Sequence, residues 1–148
     1  LGTDNVFHNM WETMRSAIYG ARTREKLGES KSPSYYEVLE LATIRGAKVL
    51  GMSEKIGSLE PDKKADIQLI DLKKPNILPT ADITSSLVLY GEAINVDTVI
   101  VDGVILKQDH KMTNFDMVQI LDDAQDITTG IWDALFDDRP ELRKLVKN

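Results

Sequence analysis

Val96-Asp97-Thr98-Val99-Ile100-Val101-Asp102-Gly103-Val104-Ile105-Leu106-Lys107 places two β-branched runs on either side of an Asp-Gly pair. A two-residue hairpin loop takes a type I′ turn, whose two central residues need positive φ, and Asp-Gly accommodates both. The stretch predicts an antiparallel hairpin, 96–101 with 104–107. Just upstream, Ala65 to Leu72 is short and Ile-rich and predicts a further strand. Ser86 to Tyr90 is a third strand candidate, separated from it by Pro75 and Pro79.

Outward from this β segment the period becomes helical. On the N-terminal side, Asn9 and Glu12 have capping-box spacing, and Trp11, Met14, Ile18 and Ala21 recur as one apolar stripe. Arg22 to Ser32 is polar and reads as a connection. Ser34 and Glu37 form a second capping box. Tyr35, Val38, Leu39, Ala42, Val49 and Leu50 then trace a face that ends at Gly51, where a left-handed cap is expected. Gly46 inside that helix costs about 1 kcal/mol relative to Ala and is expected to admit another backbone. On the C-terminal side, Asp116 with Gln119 caps a stripe of Met117, Ile120, Leu121, Ala124, Ile127 and Ile131, and Pro140 starts a last short helix. The opening Leu1-Gly2-Thr3-Asp4 reads as a strand end entering a loop. Its strand has no visible partner and the sheet is thin, so the order of elements is that of part of a longer protein.

The 148 residues are 42% hydrophobic and 28% charged, the composition of a globular rather than a disordered chain. Net charge is −6, with no Lys/Arg stripe, which argues against a nucleic-acid partner. No apolar run approaches the roughly 20 residues of a membrane helix. With no cysteine, disulfides, Cys-zinc sites and thiol nucleophiles are excluded. A cytoplasmic protein is expected.

The inventory of chemistry is short. His8 and His110 are the only histidines, and no HxH, HExxH, GxSxG or phosphate-binding glycine loop occurs. His110, beside Asp109 at a hairpin end, is expected at the surface. Ser85 and Ser86 have no nearby His. Asp122, Asp123 and Asp126 lack calcium-loop spacing and read as the wet face of a helix, as do Asp137 and Asp138. Asp4 differs. In parallel α/β architecture, the C-terminal ends of strands carry the catalytic groups, and Asp4 stands just past such an end.

Leu1-Gly2-Thr3-Asp4-Asn5, followed by a helix containing Met14-Arg15, resembles the eighth strand and helix of the amidohydrolase superfamily barrel. Thr43 to Gly51, Ile56 to Pro61 and Lys63 to Ile67 resemble the passage from that barrel into a small β-sandwich. Pro79-Thr80, Leu87 to Tyr90 and Val96 to Gly103 are similar to the branch of atrazine/melamine-type chlorohydrolases and S-adenosylhomocysteine/methylthioadenosine deaminases. The resemblance runs over most of residues 1–112; beyond that only helical character matches. Pro61-Asp62 departs from the family's usual Pro-Gly.

The resemblance implies an α+β fragment: the last strand–helix unit of a TIM-type (β/α)8 barrel, part of a small β-sandwich, and a helical C-terminal tail. The expected boundaries are 1–56 for the barrel end and its following helix, 57–112 for the sandwich part and 113–148 for the terminal helices. It further implies one divalent metal in the full-length enzyme, zinc with iron as the alternative. Asp4 would be both metal ligand and proton shuttle in the hydrolysis of non-peptide C–N or C–Cl bonds of a purine- or triazine-like ring. Asn5 and His8 are the candidates for lining a substrate pocket. The other four ligands of the family are not in this chain, and one carboxylate does not hold a catalytic zinc. The 148 residues alone are therefore expected to bind no metal tightly and to be inactive. Expected partners are the N-terminal remainder of the same enzyme, a small-molecule substrate and further copies in a homo-oligomer. The rival reading is a non-catalytic association or regulatory module.

Overall fold

The computed structural model describes residues 1–4 and 8–146. The chain divides into two compact units, 1–113 and 114–148.

In the first unit, α1 (Met10–Lys26) starts where expected, with the Asn9 side chain accepting from the Trp11 N–H at 3.0 Å. Glu12 pairs with Arg15 at 2.6 Å. The helix runs on to Lys26, so the first part of the expected connection 22–32 is helical. Its polar side chains face solvent, and the Arg22 guanidinium stacks over the Tyr35 ring at 5.2 Å. At α2 (Tyr35–Ala42) the Ser34–Glu37 capping box is complete in both directions. The long face predicted to Leu50 is broken at Thr43 (φ −127°, ψ −105°), and α3 (Ile44–Val49) continues from there. Gly51 takes the left-handed cap at φ 68°.

Gly46 has only ordinary contact, its would-be Cβ lying 3.4 Å from the Leu41 carbonyl oxygen. The close approach is at Gly57 instead. A Cβ there would sit 2.8 Å from that of Ala47 and 2.9 Å from the Ile44 Cα, so the chain after α3 lies directly on that helix.

The sheet is four antiparallel strands in the order β1 (Ile67–Ile70), β2 (Val96–Val101), β3 (Val104–Gln108) and β4 (Lys111–Met112). Ile67 pairs with Ile100, and Val101 with Val104. Asp102 (φ 50°) and Gly103 (φ 81°) both have the positive φ of the expected type I′ turn. The next turn, Asp109-His110, is of the same kind, with φ 49° and 64°. Asp62 stands at φ 68°, so the Pro61-Asp62 turn keeps a left-handed residue where glycine is usual.

Ser86 to Tyr90 is not a strand. It belongs to α4 (Ile83–Tyr90), whose N-terminus is fixed by Asp82 accepting from the Thr84 and Ser85 N–H groups. A short apolar run has no periodicity that separates strand from helix, and the cap decides. Residues 1–4 are not a strand either. Met14, Ile18, Val38 and Val88 make the core of the helical layer, joining α1, α2 and α4.

The second unit is α5 (Met117–Asp138), a 3-10 turn (Pro140–Leu142) and α6 (Arg143–Val146). Asp116 caps α5 and Pro140 opens the terminal turn, both as expected.

Candidate functional site

Asp4 is exposed, in left-handed conformation at φ 53°, and follows a half-buried Thr3. Asn5 lies outside the described residues. His8 is exposed and sits at the start of the segment that enters α1. It lines a groove of about 530 Å³ between the helices and the sheet, with Trp11, Met14, Gln68, Val99 and Lys107 among the walls. The groove is mostly apolar, and Asp4 is not in its lining. His110 is paired with Asp97 at 3.4 Å. That places it on the β3–β4 turn, at the half-exposed position expected of a surface residue.

Among the described residues, no three His, Asp or Glu side chains come together in a way that would hold a metal ion. The donor chemistry of Asp4 suits one position of such a site, but a catalytic zinc takes three or more protein ligands.

Sequence reasoning missed what anchors the segment behind Asp4. Arg15 is buried. Its Nη1 donates to the Gly91 carbonyl oxygen at 2.8 Å, and its Nη2 to Glu12 at 2.6 Å and Glu92 at 3.1 Å. Gly91 has no room for a side chain: a Cβ would lie 2.6 Å from the Trp11 ring. Asn95, also fully buried, accepts from the Glu92 N–H and from Asn76, and donates to the Asp71 carbonyl oxygen. These contacts tie α1, the end of α4 and the end of β1 to one turn, residues 91–95. The signals available for Arg15 were its place inside an apolar stripe and the Met14-Arg15 pair of the family resemblance; Asn95 offered none.

The lowered carboxyls lie elsewhere. Asp71 is held below the usual carboxylate range by the Lys73 backbone N–H and by Lys74, 3.2 Å away. The hairpin tip has Lys64 raised by its hydrogen bond and ion pair with Asp102.

The first unit is a layer of helices packed beside a small antiparallel sheet. Residues 1–106 match the Amidohydrolase family, and the chain belongs to it. The chain is 38% identical over 130 residues to a 5′-deoxyadenosine deaminase of Methanobrevibacter smithii, covering 84% of this chain and 29% of that protein. With a 5-methylthioadenosine/S-adenosylhomocysteine deaminase of Moorella thermoacetica it shares 39% over 125 residues, 81% of this chain and 28% of that one. Among solved structures, an adenosine deaminase from Xanthomonas campestris with bound zinc superposes with a TM-score of 0.74 at 23% identity, over 82% of this chain and 27% of that chain. Atrazine chlorohydrolase from Arthrobacter aurescens, complexed with zinc, gives 0.69 at 24%, over 78% and 25%. At that identity these two report the fold alone. The chain spans about three tenths of the length of the curated relatives it matches.

Proposed function

We propose that this chain is the C-terminal portion of a metal-dependent hydrolase that removes an amine from a purine-like ring, with dechlorination of a triazine-like ring as the related alternative. The observation that carries this reading is the match of residues 1–106 to the Amidohydrolase family, together with deaminase relatives at 38–39% identity. In this reading residues 1–56 close the barrel, 57–112 form part of the β-sandwich and 113–148 are a helical tail. Asp4 is the metal ligand of this portion, and its carboxylate takes the proton of the attacking water and returns it to the leaving amine. A bound divalent metal, zinc in the relatives' structures, supplies acidified water near neutral pH. The remaining ligands come from the upstream part of the same protein, whose setting is cytoplasmic. Asn5 and His8 stand as candidates for substrate contact.

The test is metal content and deaminase activity of the protein with its upstream sequence, beside the 148-residue chain. The longer protein should carry about one metal per chain, losing it with activity on Asp4→Ala, while the 148 residues carry none. A longer protein that holds no metal and deaminates neither adenine nucleosides nor triazines overturns the reading. Stoichiometric metal on the 148-residue chain would show that the ligand argument is wrong.

A further inference from the structure

Asp102-Gly103, the tip of the β2–β3 hairpin, is the one Asp-Gly pair of the sequence, and Asn-Gly does not occur. The pair has a chemistry of its own besides its turn geometry. The Gly103 backbone nitrogen can attack Cγ of the Asp102 carboxylic acid, because glycine places no side chain beside the attacking atom. An N–Cγ bond forms and a Cγ–O bond breaks. The amide proton and the carboxyl hydroxyl leave together as water, and the product is a five-membered succinimide. Water then adds to either carbonyl. Addition at Cγ restores aspartate; addition at the main-chain carbonyl gives isoaspartate, in which the chain runs through Cβ and Cγ.

The folded hairpin opposes each requirement of that step. Ring closure needs the Gly103 nitrogen on the Cβ side of the Asp102 Cα–C bond. The type I′ turn, with φ of 50° and 81° at the two residues, holds it on the opposite side. The Gly103 N–H donates to the Ala65 carbonyl oxygen at 3.1 Å, and the Asp102 N–H to Asp66 Oδ1 at 2.8 Å. The Lys64 ammonium donates to Asp102 Oδ2, on the carboxyl that must lose an oxygen. All of these partners belong to one segment, Lys64-Ala65-Asp66, which leads into β1. The Lys64 and Asp102 side chains are 45% and 61% exposed, so water reaches the turn as soon as it opens.

We propose that Asp102-Gly103 is a modification site, at which aspartate converts to isoaspartate, and that residues 64–66 are the latch that gates it. The turn reacts when that segment lifts away. Isoaspartate adds one atom to the main chain inside a two-residue loop, so the type I′ turn no longer closes and the Val101–Val104 pairing is lost. The proposal is independent of the catalytic reading.

Incubation of the chain near neutral pH, folded and in urea, followed by peptide mapping, measures the conversion. The succinimide is lighter by one water, and an aspartate-specific peptidase cuts before Asp102 but not before isoaspartate. Conversion in urea should run at least about 10-fold faster than in the folded chain, because no opening is then needed. Asp66→Ala should speed the folded reaction about 10-fold and Lys64→Ala about 3-fold, the weights of a charge-assisted hydrogen bond and of a partly exposed ion pair. Neither should alter the rate in urea. Asp82→Ala, which weakens α4 and not the hairpin, should leave the folded rate unchanged. No isoaspartate at Asp102 in urea overturns the site. Equal rates in the folded chain and in urea overturn the latch, as do Lys64 and Asp66 variants that convert no faster than the unaltered chain. Acceleration by Asp82→Ala as large as theirs overturns it too, because conversion then follows unfolding of the whole unit.

Discussion

Arg15 sits four residues after Trp11 and three before Ile18, inside the apolar stripe of α1, and is buried with its charge intact. Three hydrogen bonds compensate that desolvation, and the two carboxylates it meets, Glu12 and Glu92, stay 41% and 46% exposed. Removing the guanidinium therefore leaves a carbonyl oxygen without its donor but no buried anion. Arg15→Ala should cost about 2 kcal/mol, the range for a hydrogen-bonded charged group, rather than the about 3–5 kcal/mol of a broken buried pair. Denaturant unfolding of the two proteins checks this, and Arg15→Lys should recover only part of the loss because one ammonium cannot reproduce the fork that spans Gly91, Glu12 and Glu92. An unchanged midpoint for Arg15→Ala would remove Arg15 as the anchor of α1.

Caps decide the helices of the first unit. At α2 the Ser34 backbone N–H, followed by its hydroxyl, holds the Glu37 carboxyl below its ordinary value of 4.5, and the Ser58 hydroxyl does the same for Glu60. A carboxyl with a lowered folded value contributes stability that is present above its unfolded value and lost as pH falls through the folded one. Stability should thus hold from neutrality to about pH 4.5 and decline below it; Glu37→Gln should flatten part of that decline in urea titrations between pH 7 and 3. At α4 the cap is Asp82, and Asp82→Ala should cost about 1 kcal/mol, read as lost helical signal and a lower unfolding midpoint. The same elements mark what was legible beforehand. Asp102-Gly103 and Ser34–Glu37 encode their geometry locally, so the hairpin and the start of α2 were read correctly, whereas the break at Thr43 was not. Ser86 to Tyr90 did not announce a helix because its apolar run is shorter than a helical repeat can be counted over, and α1 outran its apolar stripe on polar residues held by solvent and the Arg22–Tyr35 stack. Of the candidate site, Asp4 was marked in the sequence by its place after Gly2-Thr3 and by the family resemblance, and its role as a ligand is part of the proposed function.

At the scale of the molecule the first unit is under-filled. Its buried hydrophobic side chains among the described residues are Met14, Ile18, Val38, Ala47, Ile77, Val88 and Val96, a small set for 113 residues. Val49, Leu50 and Leu59 are each at least 70% exposed. Two apolar grooves of about 520 and 530 Å³ open beside α3 and between helices and sheet. Each leucine side chain moved from water into packed contact contributes about 1.5–3 kcal/mol, so covering even three of these residues rivals the whole stability of a small domain. Roughly 70% of the length of the Methanobrevibacter smithii relative lies outside the part this chain matches, which is ample polypeptide for such cover in the proposed reading. The protein with its upstream sequence should therefore unfold at least 10 °C higher than the 148-residue chain, and the shorter chain should bind a hydrophobic dye that the longer one excludes. Calorimetry and dye fluorescence on the pair measure this directly. Equal transition temperatures with equal dye binding would mean that the exposed faces of α3 and the sheet are solvent surfaces in the whole protein, and the proposed reading of residues 1–56 as the end of a barrel and 57–112 as part of a β-sandwich would fall with them.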